Sequence, residues 1–133
     1  MIYLLDANVI SDLLTNQVQV TQHVEQHIAN HDILALTPPI YYELLRGLIR
    51  RKAQKKLAVL QNKIMPELDW IALHESDWEQ AANFWSQAIS AGKSLSDMDF
   101  LVAAIAQRLN AILVSSDRDF AALPIKRENW REP

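Results

Sequence analysis

The sequence has 133 residues, 50% hydrophobic and 22% charged, a soluble globular balance in a chain long enough to bury one core unaided. It contains no cysteine, which excludes disulfides and thiolate metal sites, and no apolar run approaches membrane-spanning length. Asp6 and Asp12 arrive too early for a signal peptide, so we expect one cytoplasmic domain over residues 1–133. The net charge of −3 argues against tight nucleic-acid binding by bulk charge.

The chain opens on an apolar run, Ile2 to Leu5, which predicts a buried strand that delivers Asp6 at its C-terminal end. Asp6 or Asn8 can equally cap a short helix over Val9 to Leu14. An amphipathic stretch from Thr21 to Asn30 carries His23, His27 and His31 at intervals of four. That spacing suits zinc, but no carboxylate is placed as in a zincin helix, and solvated histidines are the expectation. Ile33 to Thr37 predicts a second strand. Pro38 and Pro39 then favour a helix start, and helical periodicity from Ile40 to Ile49 follows, with Glu43 near the positive end of the helix dipole.

Arg46, Arg50, Arg51, Lys52, Lys55, Lys56 and Lys63 place 7 of the 13 basic residues in one window, a basic flank on an acidic protein. A helix is predicted from Ala53 to Ile64 and a third strand around Trp70, Ile71 and Leu73. Ser76 with Glu79 resembles a capping box for a helix running to Ile89, whose stripe Trp78, Ala81, Ala82, Trp85 and Ile89 predicts core or dimer packing. Ser96 with Asp99 caps a further apolar helix, Phe100 to Leu109. A fourth strand, Ala111 to Val114, ends in Ser115-Ser116-Asp117-Arg118-Asp119. Alternating strands and helices predict an α/β fold with a mainly parallel sheet of four or five strands flanked by helices.

Asp6 and Asp117 thus follow strands directly, and Glu43 and Asp99 stand near helix starts. In a parallel sheet these positions share one edge, so the four acids can converge. Two carboxylates about 4 Å apart repel by roughly 4 kcal/mol at an effective dielectric near 20. Convergence therefore calls for a positive partner, either buried Arg or Lys or a divalent ion, and an oxygen-only donor set favours Mg²⁺ or Mn²⁺.

Four stretches, LLDANVIS from Leu4, YELLRG from Tyr42, SDMDFLVAA from Ser96 and LVSSDRDF from Leu113, resemble the four motifs of PIN-domain ribonucleases. In order, spacing and total length they look like the VapC-like toxins of type II toxin–antitoxin pairs. The resemblance implies a three-layer PIN-like fold and a Mg²⁺- or Mn²⁺-dependent endoribonuclease. It implies Asp6, Glu43, Asp99 and Asp117 as catalytic metal ligands, Asp97 and Asp119 as secondary candidates, and Asn8, Ser11 and Ser115 as supporting residues. Ala7 and Ser115 depart from the family in standing where Thr is common. The flank makes Arg46, Arg50, Arg51, Lys55 and Lys56 candidate RNA contacts. An antitoxin partner and a homodimer are also implied. Two rivals remain open at this point: a non-catalytic α/β binding module whose acids pair with Arg or cap helices, and a metal-dependent phosphatase of small substrates.

Overall fold

The computed structural model describes residues 1–132. Five strands form one all-parallel sheet: β1 (Ile2–Leu5), β2 (Ile33–Leu36), β3 (Asp69–Trp70), β4 (Ile112–Val114) and β5 (Lys126–Glu128), in the order β3-β2-β1-β4-β5. Strands covered on both faces read as unbroken apolar runs. Accordingly, Tyr3, Leu4 and Leu5, Leu34 to Leu36, and Leu113 with Val114 are all buried in the central strands. The edge strands are short and carry charged residues, which suits positions that meet solvent. The Ala111–Val114 expectation shortens by one residue, and β5 was not singled out in the sequence because Lys126-Arg127-Glu128 carries no apolar signal. The third strand is Asp69–Trp70 alone, although Ile71 N–H still donates to Leu36 O at 2.9 Å.

Six α-helices flank the sheet: α1 (Ala7–Leu14), α2 (Val18–Ala29), α3 (Pro38–Arg50), α4 (Gln54–Val59), α5 (Glu75–Ser90) and α6 (Asp97–Leu109). Helices α1, α3 and α6 begin two or three residues earlier than the apolar periodicity predicts, because Asp6, Thr37 and Ser96 occupy the cap positions. The Ala53–Ile64 helix is instead α4, extended by a π-helical turn over Leu60–Ile64. The box expected at Ser76 and Glu79 is displaced to His74 and Asp77, where His74 N–H donates to Asp77 Oδ2 at 2.8 Å.

Helix α6 is buried all round from Phe100 to Ala106, the pattern of a central helix. It packs against α5 and α3, and Asn110 ends it in a left-handed conformation. On α5 the predicted apolar stripe splits. Ala81, Phe84 and Ala88 form the buried row, while Trp78, Trp85 and Ile89 lie on the neighbouring face, 57%, 49% and 57% exposed. The core half of that expectation is therefore wrong for the tryptophans. Phe84, i+3 from Ala81 and i−4 from Ala88, takes their place.

The histidine expectation is also corrected. His23 and His27 are half-buried and stack on Trp130, with ring centroids 5.1 and 4.8 Å apart, and His27 Nδ1 lies 2.8 Å from Asp32 Oδ2. His31 is left out of the stack because α2 has ended and its backbone is left-handed, φ 62°. The burial comes from the C-terminal segment, where Trp130 is buried and Arg131 holds Asp12 through two hydrogen bonds of 2.7 and 3.0 Å. Among the described residues, no helix is long and apolar enough to cross a membrane.

Candidate metal centre

The strand order reverses direction at β1 and β4, and ligands of open parallel sheets bind at such switch points, outside the strand C-termini. Leu5 pairs with Val114, so the residues that follow, Asp6 and Ser115, emerge side by side. Asp6 is 5% exposed and held on every side. Its Oδ1 accepts from Ala7 N–H at 2.9 Å, and its Oδ2 accepts from Ser115 Oγ at 2.7 Å and Asn8 Nδ2 at 3.2 Å. Asn8 also donates to Ser115 Oγ and accepts from Ser116 N–H, tying β1 to the segment after β4. Such partners fix the orientation of a ligating carboxylate. Ser11, by contrast, is not among the hydrogen-bond partners of the Asp6 side chain and lines a neighbouring cleft with Glu43.

Glu43 arrives from α3, and Asp99 arrives from the first turn of α6. Asp99 is oriented by a capping box: its Oδ2 accepts from Ser96 N–H at 2.9 Å, and its own N–H donates to Ser96 Oγ at 3.2 Å. Asp6, Glu43 and Asp99 each offer an oxygen such that all three lie within 4.8 Å of one another. Burial, foremost, raises the pKa of each. The Glu43 carboxyl is pushed up to about 6 by burial, then by Asp99 and Asp6, with Arg46 opposing.

Asp117 stands beside this group rather than in it. Its charge raises both Asp6 and Asp99, while its Oδ1 accepts from Asp119 N–H at 2.9 Å, and its N–H donates to Ser115 Oγ at 3.1 Å. It thereby caps the 3₁₀ turn Arg118–Ala122. Asp119 acts on Asp99 through charge alone. Asp97 is exposed and faces the groove of Trp78 and Trp85 between α5 and α6. The structure therefore brings three of the six candidate acids together, with two at the margin and Asp97 elsewhere.

No ion pair among the described residues involves Asp6, Glu43 or Asp99. The oxygen-only donor set, the close approach and the lack of an ion-paired side chain suit a hard divalent cation, and the group is able to hold one. Sequence reasoning passed over Thr37, at the end of β2 on this same sheet edge. Its hydroxyl is fully buried with no hydrogen-bond partner, and a lone Thr ahead of a Pro pair gave no sign of that.

A carboxylate cluster at the switch point of a parallel α/β sheet defines a class of candidate metal-dependent proteins. The PIN domain model matches residues 3–126, and the chain belongs to that family. In fold it is similar to VapBC2 from Rickettsia felis, crystallised bound to a DNA fragment from its promoter. That match has 22% identity and a TM-score of 0.83, and covers 98% of this chain and 99% of the other. FitAcB from Neisseria gonorrhoeae matches over 100% of both chains with 25% identity and a TM-score of 0.83. Mycobacterium tuberculosis VapC20, described as a sarcin-ricin loop cleaving toxin, matches with 14% identity and a TM-score of 0.64, covering 92% of this chain and 95% of the other. No curated protein sequence matches closely enough to count as a relative.

Proposed function

We propose that this chain is a VapC-like toxin, a Mg²⁺- or Mn²⁺-dependent endoribonuclease acting as a single domain over residues 1–133. The observation that carries this reading is the group of three carboxylates within 4.8 Å, none of them in an ion pair among the described residues. Asp6, Glu43 and Asp99 would hold the ion, with Asp117 as a fourth acid at its margin. When bound, such an ion supplies the charge that activates water and stabilises the leaving oxygen of a phosphodiester.

The chain's own residues keep the ligands aimed. Asn8 and Ser115 fix Asp6, and Ser96 fixes Asp99. Either Asp99 or Asp117 would accept a hydrogen bond from an attacking water; Asp117 has one oxygen engaged by Asp119 N–H and Asp99 has one engaged by Ser96 N–H. The binding-module rival is right that Asp6, Asp99 and Asp117 cap helical turns. Capping explains neither Glu43 nor the absence of an Arg partner.

The sarcin-ricin loop cleavage named for VapC20, and the toxin–antitoxin complex from Klebsiella pneumoniae among the similar folds, support RNA as substrate and an antitoxin as partner. A carboxylate cluster also attracts a guanidinium from such a partner, beside the apolar side chains of Leu14 and Leu48. The exposed row Trp78, Trp85 and Ile89 is compatible with homodimer packing. Incubation of the purified chain with RNA and Mn²⁺ tests the activity: the reading expects 5′-phosphate and 3′-hydroxyl ends and no cutting in EDTA. Cyclic 2′,3′-phosphate ends would refute a metal-activated water.

A further inference from the structure

The basic run of α3 and α4 is not one surface. Arg46 and Arg51 line a cleft of about 210 Å³ together with Ser11, Leu14 and Glu43. Lys52, Lys55 and Lys56 border a different depression. The division follows from the backbone. Arg51 closes α3, its N–H donating to Gly47 O at 3.1 Å, and Lys52 then turns left-handed at φ 55°, sending the rest of the run another way.

Within the cleft both guanidinium groups are free of ion pairs among the described residues. Arg46 lies over the Tyr42 ring at 5.1 Å from its centroid, and its charge favours the ionised form of Glu43. Arg51 lies across Gly47. A Cβ there would meet its Nη1 at 3.4 Å, in ordinary contact, so a methyl fits but a longer side chain would occupy the place of the guanidinium. Gly47 thus leaves room for Arg51 to reach along the helix toward Glu43. Two cations in no ion pair, a hydroxyl and a carboxylate of the metal cluster share one small recess.

We infer that this cleft is a subsite for a backbone phosphodiester of single-stranded RNA, the one adjacent to the bond to be cut, gripped by Arg46 and Arg51. The inference rests on the nuclease reading. The recess, of about 210 Å³, has room for a phosphate group. Guanidinium groups grip such an anion through paired N–H donors, and here they also offset the repulsion that Glu43 would exert on it. Arg51 is then a positioning residue that sets where the strand lies relative to the acids.

The test is fluorescence anisotropy of a labelled single-stranded oligoribonucleotide, in EDTA over a range of KCl, with cleavage kinetics in Mn²⁺ alongside. Arg51→Gln should weaken binding several-fold and flatten the log–log salt slope by about 0.7, the value for one lost contact to a single strand. It should raise KM with little change in kcat, and Arg51→Lys should recover part of the loss. Gly47→Leu should copy Arg51→Gln with every charge still present. Lys126→Gln removes the same charge at the first residue of β5, the opposite edge of the sheet, and should change neither slope nor KM. Equal losses for Arg51→Gln and Lys126→Gln, or an unchanged slope for Arg51→Gln in a protein that cuts RNA, would overturn the subsite alone. Wild type that binds with the predicted Arg51 dependence but cuts nothing would overturn the nuclease reading, and with it the place of the subsite beside a bond to be cut, leaving an RNA-backbone contact at Arg51.

Discussion

Two acids of this molecule are almost wholly buried, Asp6 at 5% and Asp77 at 1% exposure, and the chain treats them oppositely. Asp77 receives Arg108, whose Nε and Nη2 donate to its two oxygens at 2.9 and 3.1 Å while Nη2 also bonds Ala72 O. This fork staples α5 to α6. Asp6 receives two more acids instead and no cation. A carboxylate buried for structure has its counter-ion in the sequence. One buried without it, beside others of like charge, belongs to a group able to hold a metal ion.

The largest effect separating the two regions should be on activity. Asp6→Asn and Asp99→Asn should each remove more than the roughly 10- to 100-fold that outer-shell partners of a metal contribute, while the metal-free proteins melt at or above the wild-type temperature as repulsion is relieved. Full RNA cleavage by either variant would break the contrast.

Asp77→Ala should do the reverse. It should cost about 3 kcal/mol in a urea titration, the penalty for leaving one partner of a buried pair, and spare the acids' chemistry. The double replacement Asp77→Leu with Arg108→Met should regain most of that stability. If the double variant is no better than the single, the pair is not the source of the loss.

Thr37 offers a smaller test. Its buried hydroxyl has no partner, so Thr37→Val should stabilise the metal-free protein by about 1 kcal/mol. A loss on the same scale would mean that the hydroxyl is engaged in solution.

The smallest expected effect is on pH dependence. Asp6, Glu43 and Asp99 all have raised pKa values, so the folded chain binds protons more tightly than the unfolded one. The stabilisation is complete below the unfolded values and is lost as pH rises, for Glu43 between 4.5 and about 6. Metal-free protein should therefore melt higher at pH 5 than at pH 7.5, and Glu43→Gln should shrink the difference. A melting temperature that rises across this window would contradict the sign.

The contrast between the two acids also shows what a sequence makes legible. Asp6 and Asp99 are readable because local rules place them: an acid directly after an apolar strand, and an acid three residues beyond a capping Ser. Glu43 follows from the Pro pair and the helical period after it. The Asp77–Arg108 fork joins residues 31 apart, and no spacing rule announces it. The same holds for the C-terminal segment, since Trp130 gains its meaning only from His23, His27 and Tyr3. Side-chain direction was legible only in part. Periodicity assigned α5 an apolar face that included Trp78 and Trp85, but whether Phe84 or the tryptophans turn inward depends on where α6 lies. Asp97 and Asp99, two residues apart on one helix, end up in different grooves for the same geometric reason.

The central claim is that the counter-ion of Asp6, Glu43 and Asp99 is a divalent metal. Thermal melts of the purified chain in EDTA against increasing Mn²⁺, for wild type and Asp6→Asn, test it without reference to any substrate. Wild type should gain stability in a saturable way, by about 2.7 kcal/mol at a hundred times the dissociation constant, and Asp6→Asn should lose most of that gain. A wild-type melting temperature that does not respond to Mn²⁺ or Mg²⁺ at millimolar concentration, or a gain equally large in Asp6→Asn, would contradict it.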